Sequence, residues 1–244
     1  MVTSPTLYCL PQVESTNTWC KQNIQRLNHG DAVYTTCQTA GKGRLGSRWQ
    51  NAPNQALYYS VVFKQPMQDP ASLPLAVSLV VVQVLQQQFG ITCQVKWPND
   101  LILGGKKLAG ILCEATPEAV ICGIGINLAQ TPQQFLQAHL PHATSVAAHL
   151  GGSLSMEHLP QTLAQELTHA FGQQLHQFYQ QGFSACRTDY KKSCVNLNRQ
   201  VFFEGGSGIA VDVDEQGRLV VETRQGEKAV FTGEVRVKGI YETL

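Results

Sequence analysis

The sequence predicts a mixed α and β domain followed by a small all-β unit. Three observations carry that prediction. Up to about residue 195, strand-like runs alternate with stretches whose apolar residues recur at helical spacing. Beyond Asn196 the texture changes to short strands with glycine turns between them, the pattern of a small barrel. And 244 residues at 43% hydrophobic supply enough apolar material for one large domain or a large one plus a small one. The boundary is accordingly placed near residue 195, giving units 1–195 and 196–244.

In chain order, Leu7 to Leu10 reads as a short strand, and Ser15 or Thr16 as the N-cap of a helix running to Leu27. A strand follows at Ala32 to Cys37, then a Gly-, Asn- and Pro-rich loop over 39–55, then a strand from Ala56 to Lys64. Asp69-Pro70 has the form of a helix start, with Asp as cap and Pro in the first turn, and Gly90 that of its end. Apolar residues cover most of this helix, which predicts a central, buried position. Strands follow near Cys93–Trp97, Leu101–Leu103, Lys107–Glu114 and Ala119–Asn127, with Gly104-Gly105 as a hairpin turn. Leu163, Leu167, Phe171, Leu175 and Phe178 recur at spacings of three and four, predicting one long helix from Met156 to Gln181 ended by Gly182. The second unit reads as strands Gln200–Phe203, Gly208–Val213, Arg218–Thr223 and Lys228–Thr232.

Composition narrows the function. The 18 basic and 17 acidic residues give a formal net charge of +1, and charged residues make up 14% of the chain against about 25% for an average domain. The 27 glutamines keep solvated faces polar without adding charge. Near neutrality argues against a general nucleic-acid or membrane-surface binder, which needs a basic excess. The apolar run Leu79–Val82 is broken at Gln83, far short of the roughly 18 to 20 residues of a membrane helix. Met1 to Pro11 lacks the basic start and apolar stretch of a signal peptide. The eight cysteines form no C-x-x-C pair and no zinc-ligand spacing with His, so they read as reduced core residues of a cytoplasmic protein.

Five stretches could carry chemistry. Gly41-Lys42-Gly43-Arg44-Leu45-Gly46 matches a dinucleotide fingerprint formally, but residues 47–54 cannot open the helix that fingerprint requires. It remains a glycine loop with cations Lys42, Arg44 and Arg48, ending in Trp49, and fits either a solvated turn or an anion site. Lys96-Trp97-Pro98-Asn99-Asp100 places a cation and two oxygen-bearing side chains at a strand end; Lys96 could neutralise phosphate charge and Asp100 could hold magnesium. By residue type alone a strand-ending turn fits as well. Lys107 to Glu114 and Gly123-Ile124-Gly125-Ile126-Asn127 read first as buried strands whose glycines admit close approach. Glu14-Ser15-Thr16-Asn17 reads first as a helix cap, whose hydroxyls can also bind a ligand.

Taken in order, S-T-N at 15–17, G-K-G-R-L-G-S-R-W at 41–49, K-W-P-N-D at 96–100, K-L-A-G-I-L at 107–112 and G-I-G-I-N at 123–127 resemble the biotin–protein ligases over the whole chain. The resemblance implies a mixed sheet flanked by helices, related to class II aminoacyl-tRNA synthetases, followed by an SH3-like barrel. It implies two steps: biotin and MgATP give biotinyl-5′-AMP and pyrophosphate, and the acyl group then passes to one lysine of a biotin carboxyl carrier domain of a biotin-dependent carboxylase. The implied biotin residues are Ser15, Thr16, Asn17, Gln38, Lys42, Gly43, Arg44, Lys96, Gly110 and Ile111. The implied ATP residues are Arg44, Trp49, Lys96, Asn99 and Asn127, with Trp49 flanking the adenine and Asn127 hydrogen-bonded to it. Lys96 and Arg44 would be the catalytic cations, and Asp100 a magnesium contact. The family's loop usually reads G-R-G-R-x-G; Lys42 replaces the first Arg, keeping charge but losing bidentate geometry, so weaker retention of the adenylate is expected.

Three rivals differ in class or substrate. A lipoate–protein ligase shares the adenylation, but K-W-P-N-D and the C-terminal β unit favour biotin. A DNA-binding biotin repressor would need a helix-turn-helix head, and the motifs begin within 20 residues of Met1 in a chain of net charge +1, so DNA is not expected as a partner; nor, from the short apolar runs and the charge, is a membrane. A non-catalytic biotin binder is disfavoured by Lys96 and Arg44. The family's use of edge strands for dimerisation and carrier docking allows a homodimer.

Overall fold

The computed structural model describes residues 4–50, 52–231 and 233–241. Strands β1 (Leu7–Cys9), β2 (Ala32–Thr35), β3 (Ala56–Phe63), β4 (Gln94–Lys96), β5 (Asp100–Leu103), β6 (Lys106–Ala115) and β7 (Val120–Asn127) form one sheet in the order β1-β2-β3-β7-β6-β5-β4. β1 and β2 run parallel and the other neighbours antiparallel, so the sheet is mixed.

Helix α1 (Thr16–Gln22) packs on one face of this sheet, where Cys20, Ile24 and Leu27 meet Val33, Val62 and Ile121. Helices α2 (Leu73–Phe89) and α5 (Leu159–Gln174) cover the other face over a large apolar core. Between these two in sequence come α3 (Pro132–Gln137), with a Thr131–Gln134 capping box, and α4 (Val146–Leu150), capped by Ser145. Neither was apparent in the sequence, because helices this short have too few turns to show periodicity. Residues Pro70–Phe89 are long and apolar enough to cross a membrane, yet this stretch is the core helix predicted: Val77, Val81 and Leu85 are fully buried between sheet and α5.

Several boundaries moved for local reasons. α1 stops at Gln22 rather than Leu27 because Asn23 donates from both backbone and side chain to the Trp19 carbonyl, closing the helix end. Asp69 does not cap α2; a 3-10 turn over Pro70–Ser72 leads into it instead, and Gly90 ends it with φ +68°. The long helix predicted over 156–181 starts at Leu159 and breaks at Leu175 into α5 and α6 (His176–Gln181), with Gly172 one turn before the break. Gly182 follows α6 with φ +63°.

After α7 (Arg187–Ser193), strands β8 (Gln200–Phe203), β9 (Gly206–Val213), β10 (Leu219–Thr223), β11 (Gly226–Val230) and β12 (Arg236–Val237) make an antiparallel sheet in the order β11-β10-β9-β8-β12. β12 was missed in the sequence, and Thr232, predicted to end the fourth strand of this unit, lies outside the described residues. The second sheet continues the main core through Val201, Phe203, Ala210 and Val213. Arg187 and Lys191 of α7 pair with Asp212 of β9 at 2.6 and 2.7 Å, and Val195 N donates to the Val95 carbonyl at 2.9 Å. Among the described residues no disulfide forms; burial pushes the Cys20 and Cys93 thiols up to about 12, which keeps them protonated core residues.

Candidate active site

β7 alternates strictly. Cys122, Ile124 and Ile126 point into the main core, which leaves Gly123 and Gly125 on the opposite face with no side chains to fill it. Gly110 of β6 pairs with Gly125 and extends the bare strip. A cleft of about 890 Å³ opens over this strip, and every motif residue expected at a ligand lines it except Asn127. The glycines are required by what lies on them. A Cβ at Gly123 would collide with Asn17 Oδ1, and Cβ atoms at Gly110 and Gly125 would stand 2.6 and 2.7 Å from the Trp49 ring.

At the α1 end the cleft closes on a polar network. Thr16 N and Oγ1 donate to Gln38 Oε1 at 2.8 and 3.2 Å. Ser60 Oγ lies 2.7 Å from Thr16 Oγ1 and 2.6 Å from Asn17 Oδ1. Asn17 Nδ2 donates to the Leu112 carbonyl and, at 2.8 Å, to Glu114, whose other oxygen pairs with Lys21 at 2.5 Å. Lys21 and Asn17 hold the Glu114 carboxyl below the usual range, although burial works against them. Ser15, Thr16, Asn17, Gln38 and Ser60 are all buried. Such a set of matched donors and acceptors at the end of a pocket suits an uncharged polar head group.

The glycine–arginine loop folds over the cleft. Gly43 N donates to the Ser47 carbonyl, and Trp49 N to the Gly41 carbonyl at 3.0 Å. Its tip turns through Leu45 and Gly46 at φ +52° and +76°, leaving Leu45 largely exposed. Tyr58 of β3 anchors the loop's exit by accepting from Ala52 N at 2.9 Å. Arg44 reaches down to donate to Asn99 Oδ1 at 3.1 Å, and Asn99 Nδ2 donates to the Ile111 carbonyl at 3.2 Å. The loop, the β4–β5 turn and β6 are thereby joined at the middle of the cleft.

Lys96 ends β4 there, buried to 8% exposure, opposite Asp100 in the strand register. Burial pushes its ammonium below the usual lysine range and Lys107 and Arg44 add to that, while Asp100 and Glu234 oppose it. Asp100 itself pairs with Lys107 at 2.7 Å and accepts from Tyr241 Oη at 3.0 Å. The Tyr241 ring also lies 5.0 Å from Lys96 Nζ. The described residues contain no group of three His, Cys, Asp or Glu that could hold a metal. A cluster of buried Lys96 with half-buried Arg44 and Lys107, with fewer anions than cations, suits an anionic ligand.

Trp49 is shared by a second cavity of about 460 Å³ on its other side, lined also by Asn127, Gln130, Phe135 and Leu140. Asn127 belongs here rather than to the first cleft, and both ends of its amide are engaged: Nδ2 donates to the Thr144 carbonyl and Oδ1 accepts from Gln130 Nε2, each at 3.0 Å. Ser60, Glu114, Gln130 and Tyr241 were all missed in the sequence. Ser60 had one signal, the single small polar side chain within the strand ALYYSVVF.

A model of the biotin/lipoate A/B protein ligase family matches residues 9–129, and one of the biotin protein ligase C terminal domain matches residues 197–238. The biotin--[acetyl-CoA-carboxylase] ligase of Mycobacterium tuberculosis is 30% identical over 209 residues, 81% of this chain and 75% of that protein. The bifunctional ligase/repressor BirA of Bacillus subtilis is 28% identical over 219 residues, and the match spans 85% of this chain but 66% of that longer protein. The structure of a biotin protein ligase from Aquifex aeolicus in complex with biotin and ATP superposes with a TM-score of 0.82 at 26% identity, covering 96% of this chain and 98% of the other. The chain belongs to the biotin/lipoate A/B protein ligase family, among its biotin protein ligases.

Proposed function

We propose that the chain catalyses ATP-dependent biotinylation of one lysine on a biotin carboxyl carrier domain, through biotinyl-5′-AMP. The observation that carries this reading is the position of buried Lys96 and half-buried Arg44 in a cleft with a neutral polar end, with a second cavity behind Trp49. In this reading the ureido head of biotin meets Ser15, Thr16, Asn17 and Gln38, and its tail runs along Gly110 and Ile111. Its carboxylate faces Lys42, Gly43, Arg44 and Lys96, and the adenine enters the second cavity against Trp49.

The chemistry follows from charge. A carboxylate attacking a phosphate brings two anions together, so cations must neutralise both before the carboxylate oxygen can approach the α-phosphorus in line. Lys96 faces both groups; Arg44, tethered to Asn99, would fix the loop over them. The carboxylate oxygen bonds to phosphorus and pyrophosphate leaves. The lysine amine of the carrier then attacks the acyl carbon and releases AMP, so no covalent enzyme nucleophile is required. Keeping water out until then is the task of the loop. In this reading magnesium enters with ATP as part of the nucleotide substrate, and Asp100, which lines the cleft, would be its contact on the chain. The carrier belongs to a biotin-dependent carboxylase, as the name of the Mycobacterium tuberculosis relative suggests. We place the unit boundary at residue 195 and the enzyme in the cytoplasm.

Biotin-dependent exchange of pyrophosphate into ATP, with lipoate as control, tests the reading. Wild type should exchange with biotin alone and Lys96→Ala should not. Exchange with lipoate but not biotin, or full activity in the variant, overturns it.

A further inference from the structure

Cys113 of β6 and Cys122 of β7 stand opposite each other in the strand register, with their sulfurs 3.0 Å apart. The phase of the ladder explains the closeness. Thr116 N donates to the Ala119 carbonyl at 2.8 Å, which makes 116 and 119 a hydrogen-bonded pair. Pairs alternate along antiparallel strands, so 113 and 122 form a non-hydrogen-bonded one. Such pairs hold their Cα atoms about 4.5 Å apart, inside the roughly 4.4–6.8 Å that a disulfide spans. Both residues are reduced, Cys122 fully buried in the main core and Cys113 half-buried against it.

The pair lies beneath the polar end of the cleft, on the other face of the sheet. Leu112 and Glu114, on either side of Cys113, accept from Asn17 Nδ2 at 3.2 and 2.8 Å. Gly123, next to Cys122, lies directly under the Asn17 carboxamide. We propose that Cys113 and Cys122 are a redox modification site, which hydrogen peroxide oxidises to a reversible disulfide that weakens biotin binding. Cys113 is the sulfur a small oxidant reaches; burial pushes the Cys122 thiol above its usual range and keeps it protonated. The Cys113 thiolate attacks peroxide, the O–O bond breaks, and a sulfenic acid and hydroxide form. The Cys122 sulfur then attacks the Cys113 sulfur, and its proton leaves with the sulfenic hydroxyl as water. Two thiols and one peroxide thus give one disulfide and two waters. Covalent joining draws β6 and β7 together here and shifts Leu112 and Glu114 against Gly123, which disturbs the seat of Asn17. The effect on affinity rests on the reading that the ureido head of biotin meets Asn17; formation of the disulfide does not.

The test treats the reduced full chain with hydrogen peroxide and maps its peptides by mass spectrometry without reductant. A peptide pair joined through Cys113 and Cys122, separated again by a dithiol, is expected. Titration calorimetry on the same samples should show biotin bound about threefold to tenfold more weakly after oxidation, as for one weakened hydrogen bond, and restored by the dithiol. Cys113→Ser should bind biotin like the reduced wild type before and after peroxide, which separates this pair from the other six cysteines. Cys113→Val, which keeps the packing, takes its place if the serine variant does not fold. Absence of the linkage, a linkage with unchanged affinity, or a peroxide effect that survives the substitution overturns the proposal. Failure of the underlying reading shows separately, as a reduced wild type that binds no biotin.

Discussion

The Trp97 indole donates from Nε1 to the Gly217 carbonyl at 2.9 Å, joining the residue after Lys96 to a turn of the C-terminal sheet. Trp97 is 1% exposed, its backbone N donates to Asn196 Oδ1 at 2.7 Å, and the Gly217 turn rests on Leu75 of α2. The second sheet therefore supports the strand that presents Lys96. Trp97→Phe removes the donor, leaves the buried carbonyl unpaired and opens a void, together about 2–4 kcal/mol. At about 2–4 °C per kcal/mol for a chain of this size, Tm should fall by roughly 5–15 °C. Calorimetry checks the stability, and pyrophosphate exchange at 20 °C checks that kcat falls too. An unchanged Tm would mean that the two sheets are not energetically joined here.

Trp49 depends on Gly125 in the same direct way, since a Cβ at Gly125 would stand 2.7 Å from its ring. Gly125→Ala should lift the indole off the sheet, disturbing the wall between the two cavities. The expected result is an ATP KM raised about tenfold with the biotin KM within twofold of wild type, because discrimination by a displaced apolar wall is worth about 1–3 kcal/mol. Steady-state kinetics with each substrate varied in turn decides it. A biotin KM that rises as much as that for ATP would assign the ring to the other ligand.

Much of this site was legible because its chemistry sits in short polar motifs. Residues 15–17, 41–49 and 96–100 interrupt apolar surroundings, and the fold gathers them on one bare face of the sheet. The bareness itself was legible as glycine at every second position of Gly123-Ile-Gly125-Ile-Asn127, although only the register shows Gly110 beside Gly125. What escaped lies where local pattern is weak. Gln130 follows the last strand of the main sheet in a stretch too short for periodicity, and Tyr241 approaches Asp100 from 141 residues away. Their roles come from long-range packing, which no window of sequence contains. The break at Leu175 escaped for the opposite reason: Leu175 and Phe178 keep the helical spacing and both stay buried across the kink.

Ser60 has one proton and two neighbours, Thr16 Oγ1 at 2.7 Å and Asn17 Oδ1 at 2.6 Å, so it serves one of them at a time. Thr16 already donates to Gln38, which leaves Asn17 Oδ1 dependent on Ser60. Ser60→Ala strands that acceptor at the polar end of the cleft. Titration calorimetry should show biotin binding weakened about tenfold, from a loss of about 1–3 kcal/mol, with the ATP KM little changed. Wild-type biotin affinity would separate Ser60 from recognition.

Lys96 must carry charge to neutralise the reacting anions, and burial lowers its pKa while Asp100 raises it. Activity should therefore be lost on the alkaline side as pH rises through this depressed value, below the usual lysine pKa of about 10.4. Asp100→Asn removes the opposing anion, so Lys96 should lose its proton more readily and the alkaline limb of kcat should move to lower pH. The pH profile of pyrophosphate exchange for both proteins reads this directly. A limb that stays in place or moves upward would show that another group sets it.

Lys42 stands where the family loop usually has arginine, within a loop whose Arg44 is already tethered to Asn99. An ammonium is a point charge, whereas a guanidinium offers two parallel donors to a carboxylate or phosphate. Lys42→Arg should consequently hold the closed loop longer over biotinyl-5′-AMP. In single-turnover experiments without carrier, release of the adenylate should slow by about threefold to tenfold, consistent with about 0.6–1.4 kcal/mol for one charge-assisted bond gained. The apparent biotin KM should fall with it, while the rate of adenylate formation changes little, since Lys96 and Arg44 still face the phosphate. If release and KM both match wild type, the lysine is neutral for retention and loop closure rests on Arg44 alone.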